Sequence, residues 1–126
     1  MSRYTWLLDP GHGGIIDGVY QTAGKRSPAF PDGTVLYEGE LNRDIVRMVL
    51  NLCAGLKTDG SPYKVGGHPA WQSREPMTIE AMDIVDSLKD VSLRKRVTKA
   101  NTLHQEKKNC IYVSVHANAF GNGRDF

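Results

Sequence analysis

The stretch LLDPGHGG at residues 7–14 completes an apolar run, YTWLL at residues 4–8, and ends it with the turn signal Asp9-Pro10-Gly11. The run is continuous rather than alternating in polarity, which predicts a buried strand of a parallel sheet. Directly after it His12 stands between Gly11 and Gly13-Gly14. The glycines permit a tight turn, but the stretch lacks both the GxGxxG spacing and the GK[ST] ending of phosphate-binding loops. His12 is therefore either a polar residue decorating a strand end or a metal ligand, and the rest of the chain has to separate the two.

Downstream, helix and strand signals alternate. Residues 15–37, rich in Gly, Pro, Ser and Lys/Arg (GKRSPAFPDGT), predict a long loop with a hairpin-like excursion. Residues 41–57, LNRDIVRMVLNLCAGLK, place Ile45, Val49, Leu52, Cys53 and Leu56 at helical spacing. Tyr63-Lys64-Val65 reads as a weak strand, and EPMTIEAMDIVDSLKD at residues 75–90 as holding a short helix after Pro76. Ser92 is a candidate N-cap for a helix running to about Lys107, with Leu93, Val97, Ala100 and Leu103 on its apolar face. Residues 111–115, rich in β-branched side chains, predict a strong strand. This order predicts one α/β domain over residues 1–126. Its mainly parallel, twisted sheet carries helices on both faces, with a site beyond the carboxyl ends of the strands.

Composition narrows the function classes. At 40% hydrophobic and 24% charged residues the usage is globular, and a net charge of +2 is too mild to argue for a nucleic-acid partner. That charge would not hinder approach to an anionic polymer such as a cell wall. No run approaches the ~20 apolar residues of a membrane span, and the N-terminal apolar stretch is too short for a signal peptide. Cys53 and Cys110, with no CxxC and no adjacent histidine, read as reduced core thiols rather than zinc ligands.

His12 and His116 both fall just past predicted strands, so they can meet if those strands are neighbours. A catalytic zinc takes three protein ligands, and the third must come from another element facing the same end of the sheet. Glu38 and Glu40 open the predicted helix, and spacing leaves the choice between them open. Either can also serve simply as favourable charge at a helix N-terminus. Two histidines and a glutamate carry formal charge −1, which leaves a zinc centre net positive and able to polarise a carbonyl and acidify water. Asp9 suits an orienting role beside it. His68, in a Gly/Pro loop, and His104, on a helix among Gln and Lys, have no spaced partner and read as solvated.

Four segments in order, LLDPGHGG, YEGELNRDIV, VSLRKRVTKAN and IYVSVHANAF, resemble the motifs of the zinc-dependent N-acetylmuramoyl-L-alanine amidases of the amidase-3 family, spanning residues 7–120. Members of that family cleave the peptidoglycan amide between the lactyl group of N-acetylmuramic acid and the first L-alanine of the stem peptide. The resemblance implies a single zinc ion held by His12, Glu38 and His116, with Asn42 completing an E-x-x-x-N pattern, and so favours Glu38 over Glu40. It also implies a structural or site-supporting part for Arg96 and support from Asn118.

The chain departs from the pattern in places. The family's aspartate after GHGG stands one residue earlier than Asp17, so a remodelled turn is expected there. The loop before Glu38 is long, and residues 66–90 resemble an insertion. The family's catalytic glutamate lies well beyond the last histidine, which places it past residue 126. The resemblance thus implies the N-terminal portion of an amidase catalytic domain, and predicts little turnover by residues 1–126 alone. A non-catalytic module that binds peptidoglycan or holds zinc also fits. A zinc carboxypeptidase-like peptidase fits the ligand types but not the motif order. The lack of a leader suits a phage endolysin released from the host cytoplasm. An extracellular or periplasmic bacterial enzyme relieved of its leader is the other option.

Overall fold

The computed structural model describes residues 4–62 and 79–117. In chain order its elements are β1 (Thr5–Pro10), β2 (Ile15–Ile16), β3 (Val19–Tyr20), α1 (Glu38–Cys53), β4 (Ala81–Asp83), α2 (Leu93–Lys107) and β5 (Cys110–Val115). His68, Asn118 and the weak strand expected at residues 63–65 lie outside the described residues.

The chain has a mixed α/β fold in which β1 is the central strand of a three-stranded parallel sheet ordered β4-β1-β5. Consecutive side chains of a strand point to opposite faces, and Leu7 and Leu8 are both buried, so both faces of β1 are covered. That is the physical reason for the unbroken apolar run. Trp6 to Leu8 pair with β4, whereas Thr5 to Pro10 pair with β5. The Trp6 amide bonds toward β4, to the Glu80 carbonyl, and Pro10, four residues on, faces the same side. Because β4 ends opposite Leu8, the missing N–H of Pro10 falls beyond that ladder and costs no strand hydrogen bond.

No helix forms over residues 79–90, where residues 81–83 form β4 instead. Short-range pattern misled here because β4 gains its stability from the open edge of β1. The β-branched pair that follows it, Ile84 and Val85, enters the core with Leu7 and Ala100, flanked by Met82, Val91, Leu103 and Cys110. Cys53 and Cys110 are free thiols, both half-buried.

The helix expected over 41–57 is α1, which begins earlier and ends earlier. Its end follows from Gly55, whose φ of 79° lets the Leu56 amide reach the Asn51 carbonyl and the Gly55 amide the Leu52 carbonyl, at 2.9 and 3.0 Å. That pattern closes a helix. Its most buried line is Gly39, Asn42 and Val46, while Ile45, Val49, Leu52, Cys53 and Leu56 are only half-buried.

Ser92 caps α2 as expected, its hydroxyl accepting from the Lys95 amide. The apolar face of α2 needs correction: Leu93 is 71% and Val97 44% exposed. Arg96 and Ala100, with half-buried Leu103, form the inward stripe at i, i+4 and i+7. Residues 15–37 hold two excursions. In the β2–β3 hairpin, Asp17 and Gly18 both take positive φ (49° and 77°), as a two-residue turn of this hand requires. An isolated bridge between Arg26 and Tyr37 closes the second.

Leu7→Ala is expected to cost ~2–5 kcal/mol in urea denaturation, because it opens a cavity in this small core. Leu93→Ala is expected to change stability by no more than ~0.5 kcal/mol. A large loss from Leu93→Ala would restore the apolar face that the sequence suggested.

Candidate metal centre

The β1–β5 register brings the two histidines together. The ladder ends with the Gly11 amide donating to the Val115 carbonyl at 2.9 Å, so His12 and His116 emerge at the same end of adjacent strands. Gly11 has no room for a side chain, since a Cβ there would run into the His116 ring. The ring centroids of His12 and His116 are 5.0 Å apart and nearly perpendicular.

Glu38, the first residue of α1, completes the group. Its Oε1 lies 3.2 Å from His12 Nε2 and 3.2 Å from His116 Nδ1, and accepts the Ala117 amide at 3.1 Å. One candidate donor atom from each residue lies within 4.8 Å of the other two. In a tetrahedral zinc site with bonds of about 2.0–2.1 Å, neighbouring ligand atoms are about 3.3 Å apart, so the two measured edges fit. Two imidazoles and a carboxylate are ordinary zinc donors, and the group can hold a metal ion. Burial pulls the His12 pKa below its ordinary value, against the opposing pull of the Glu38 carboxylate. The neutral imidazole is the form that ligates.

Several side chains aim Glu38. Tyr37 offers no side-chain cap to α1. Instead the Tyr20 hydroxyl, brought by the hairpin, accepts the Gly39 amide and donates to the Lys25 carbonyl, both at 2.9 Å. The Glu38 amide bonds to that same carbonyl. Burial pushes the Tyr20 phenol up, which keeps the hydroxyl protonated for its donating role. Gly39 lies directly against the His12 turn, where a Cβ would collide with the Gly13 carbonyl oxygen. Asn42, fully buried, donates to the Gly11 carbonyl at 3.1 Å. Glu40 is occupied elsewhere: its Oε1 accepts the Ile15 amide at 2.8 Å and anchors the hairpin.

Asp9 and Arg96 lie beneath the site as a buried ion pair, Nη1 to Oδ1 at 2.5 Å. Arg96 also donates to the carbonyls of Pro10 (2.6 Å), Val91 (2.7 Å) and His12 (3.0 Å). The second Asp9 oxygen accepts the Tyr112 hydroxyl. Burial, reinforced by that bond to Asp9, pushes the Tyr112 phenol up to about 12. Removing either member of such a pair strands a buried charge, at about 3–5 kcal/mol.

The donor group is not sealed. His12 and His116 line an open cavity of about 260 Å³ together with Asp9, Gly11, Asp90, Val91, Leu93, Arg96 and Ser114. The roles of Tyr20, Tyr112 and Arg43 were not foreseen from the sequence. His104 acts locally, its Nδ1 accepting the Cys110 amide between α2 and β5.

No family model, curated protein or solved structure matches the chain. Among the described residues no helix is long and apolar enough to cross a membrane.

Gly39→Ala sets two effects against each other. Helix propensity alone would stabilise by ~1 kcal/mol, whereas the new methyl must displace backbone, which typically costs ~1–3 kcal/mol. Steric cost is expected to win, lowering the thermal midpoint and weakening metal binding. A raised midpoint would show that α1 does not pack on the His12 turn this closely.

Proposed function

We propose that this chain belongs to a zinc-dependent N-acetylmuramoyl-L-alanine amidase, hydrolysing the amide between N-acetylmuramic acid and L-alanine in peptidoglycan. The supporting observation is the meeting of His12, Glu38 and His116, residues from three separate motifs, at the carboxyl ends of adjacent parallel strands beside an open cavity. The resemblance of those motifs to the amidase-3 pattern supplies the substrate.

At such a site zinc supplies Lewis acidity toward the scissile carbonyl and acidifies water. The chain's own residues hold and shape the centre. Neutral His12 offers Nε2, His116 offers Nδ1, and Glu38 offers the one carboxylate, which leaves the centre net positive. The Ala117 amide orients that carboxylate. Arg96 and Asp9 hold the backbone from Pro10 to His12 from below. The reading includes a twisted, mainly parallel sheet with helices on both faces. The enzyme acts on the cell wall, as an endolysin or as an exported autolysin.

The two glutamates provide the test. Glu38→Ala is expected to weaken zinc binding by more than ~100-fold, a larger loss than orienting residues usually cause. Glu40→Ala is expected to leave zinc affinity within about threefold while lowering stability by ~1–3 kcal/mol through the stranded Ile15 amide. Competition with a chromophoric chelator reads the first quantity and denaturation the second. Equal zinc losses in both variants would contradict the assignment. Chelator-sensitive release of new L-alanine amino termini from peptidoglycan is expected. Binding of peptidoglycan without that release would mark a non-catalytic module.

A further inference from the structure

His12 and Glu38 come from different elements, and one side chain outside the donor group ties their backbones together. Arg43, one turn into α1, is half-buried. Its Nη1 donates to the His12 carbonyl at 2.9 Å and to the Gly39 carbonyl at 3.2 Å. Nη2 donates to the Ser87 carbonyl at 2.9 Å. A single guanidinium nitrogen thus joins the first donor residue to the residue that follows the second. Arg96 reaches the same His12 carbonyl from α2 at 3.0 Å, so two cations converge on one neutral oxygen.

That convergence has a use. His12 adopts a left-handed backbone (φ 65°), uncommon for a residue with a Cβ, and the direction of its imidazole follows from that backbone. Holding the carbonyl from two sides fixes the peptide plane and therefore the Cα–Cβ direction from which the imidazole reaches toward Glu38. The planar fork of arginine reaches His12 and Ser87 at once, which the single ammonium of lysine does not match.

We propose that Arg43 is a positioning residue for the metal centre, locking the His12 backbone to the start of α1 so that His12 Nε2 and Glu38 Oε1 are preset for the metal. The proposal rests on the metal-centre reading above. Arg43 also borders a second cavity of about 340 Å³, lined by Asp83, Val85, Asp86, Ser87 and Leu88, which gives a small guanidinium a way in when the side chain is shortened.

The experiment compares wild type, Arg43→Lys and Arg43→Ala in the full chain. Zinc affinity is read by chelator competition, and the His12 carbonyl ¹³C shift is read in metal-free protein. Arg43→Ala is expected to lose ~10–100-fold in zinc affinity, as orienting residues of metal sites do. Arg43→Lys is expected to lose less. Ethylguanidinium is expected to recover much of the Arg43→Ala loss, a rescue that a merely structural role would not show. The carbonyl shift is expected to move in both variants. If Arg43→Ala fails to fold, Arg43→Lys carries the comparison. Variant affinities within about twofold of wild type, against the larger losses above, would overturn the positioning role alone. A wild-type chain that binds no zinc would overturn the metal reading and the proposal with it.

Discussion

The register that sets Pro10 against Val115 is the constraint on which the site depends. It makes Gly11 and His116 the next pair along, and the absence of a Cβ at Gly11 is what lets the His116 ring lie across the strand end. A slip of one residue would turn every side chain of β5 to the other face and carry His116 away from His12. His12 comes one residue later than the position opposite His116, and its left-handed backbone makes up the offset. Glu38 is then added by docking a helix whose second residue, Gly39, is small enough to touch the His12 turn.

Beneath this arrangement the first inward position of α2 is given over to charge. Arg96 occupies the position in its first turns where an apolar residue would ordinarily enter a core, and it directs its donors to Asp9 and to the carbonyls of Pro10, His12 and Val91. Leu93 and Val97 are left on the exposed side, and Leu93 becomes part of the cavity wall beside the histidines. The buried pair is weak evidence of net stability, since desolvation offsets much of its attraction. Its effect is to define where the backbone of residues 9–12 lies. Long-range support of the same kind holds at α1, where Tyr20 supplies from the hairpin the cap that Tyr37 does not.

Much of this was legible in the sequence. The unbroken apolar run of β1, the Ser92 cap, the β-branched β5 and the placing of two histidines at strand ends are local signals, and the structure has each of them. β4 was not legible. Three residues are too few for a periodicity, and their strand state comes from the edge they pair with. The choice between Glu38 and Glu40 was closed to spacing because both begin the same helix. It is decided by the tertiary contacts that take Glu40 to Ile15 and Glu38 to the histidines. Arg96 was named through the resemblance alone and Arg43 not at all, since the backbone carbonyls they bind leave no mark in the pattern of side chains.

The proposed centre holds one zinc ion on His12, Glu38 and His116. X-ray absorption at the zinc edge of the metal-loaded protein addresses it most directly. The expected result is a nitrogen and oxygen shell at about 2.0–2.1 Å with outer-shell scattering from two imidazole rings. A sulfur shell at about 2.3 Å, which would bring in Cys53 or Cys110, or scattering from fewer than two imidazoles, would contradict it.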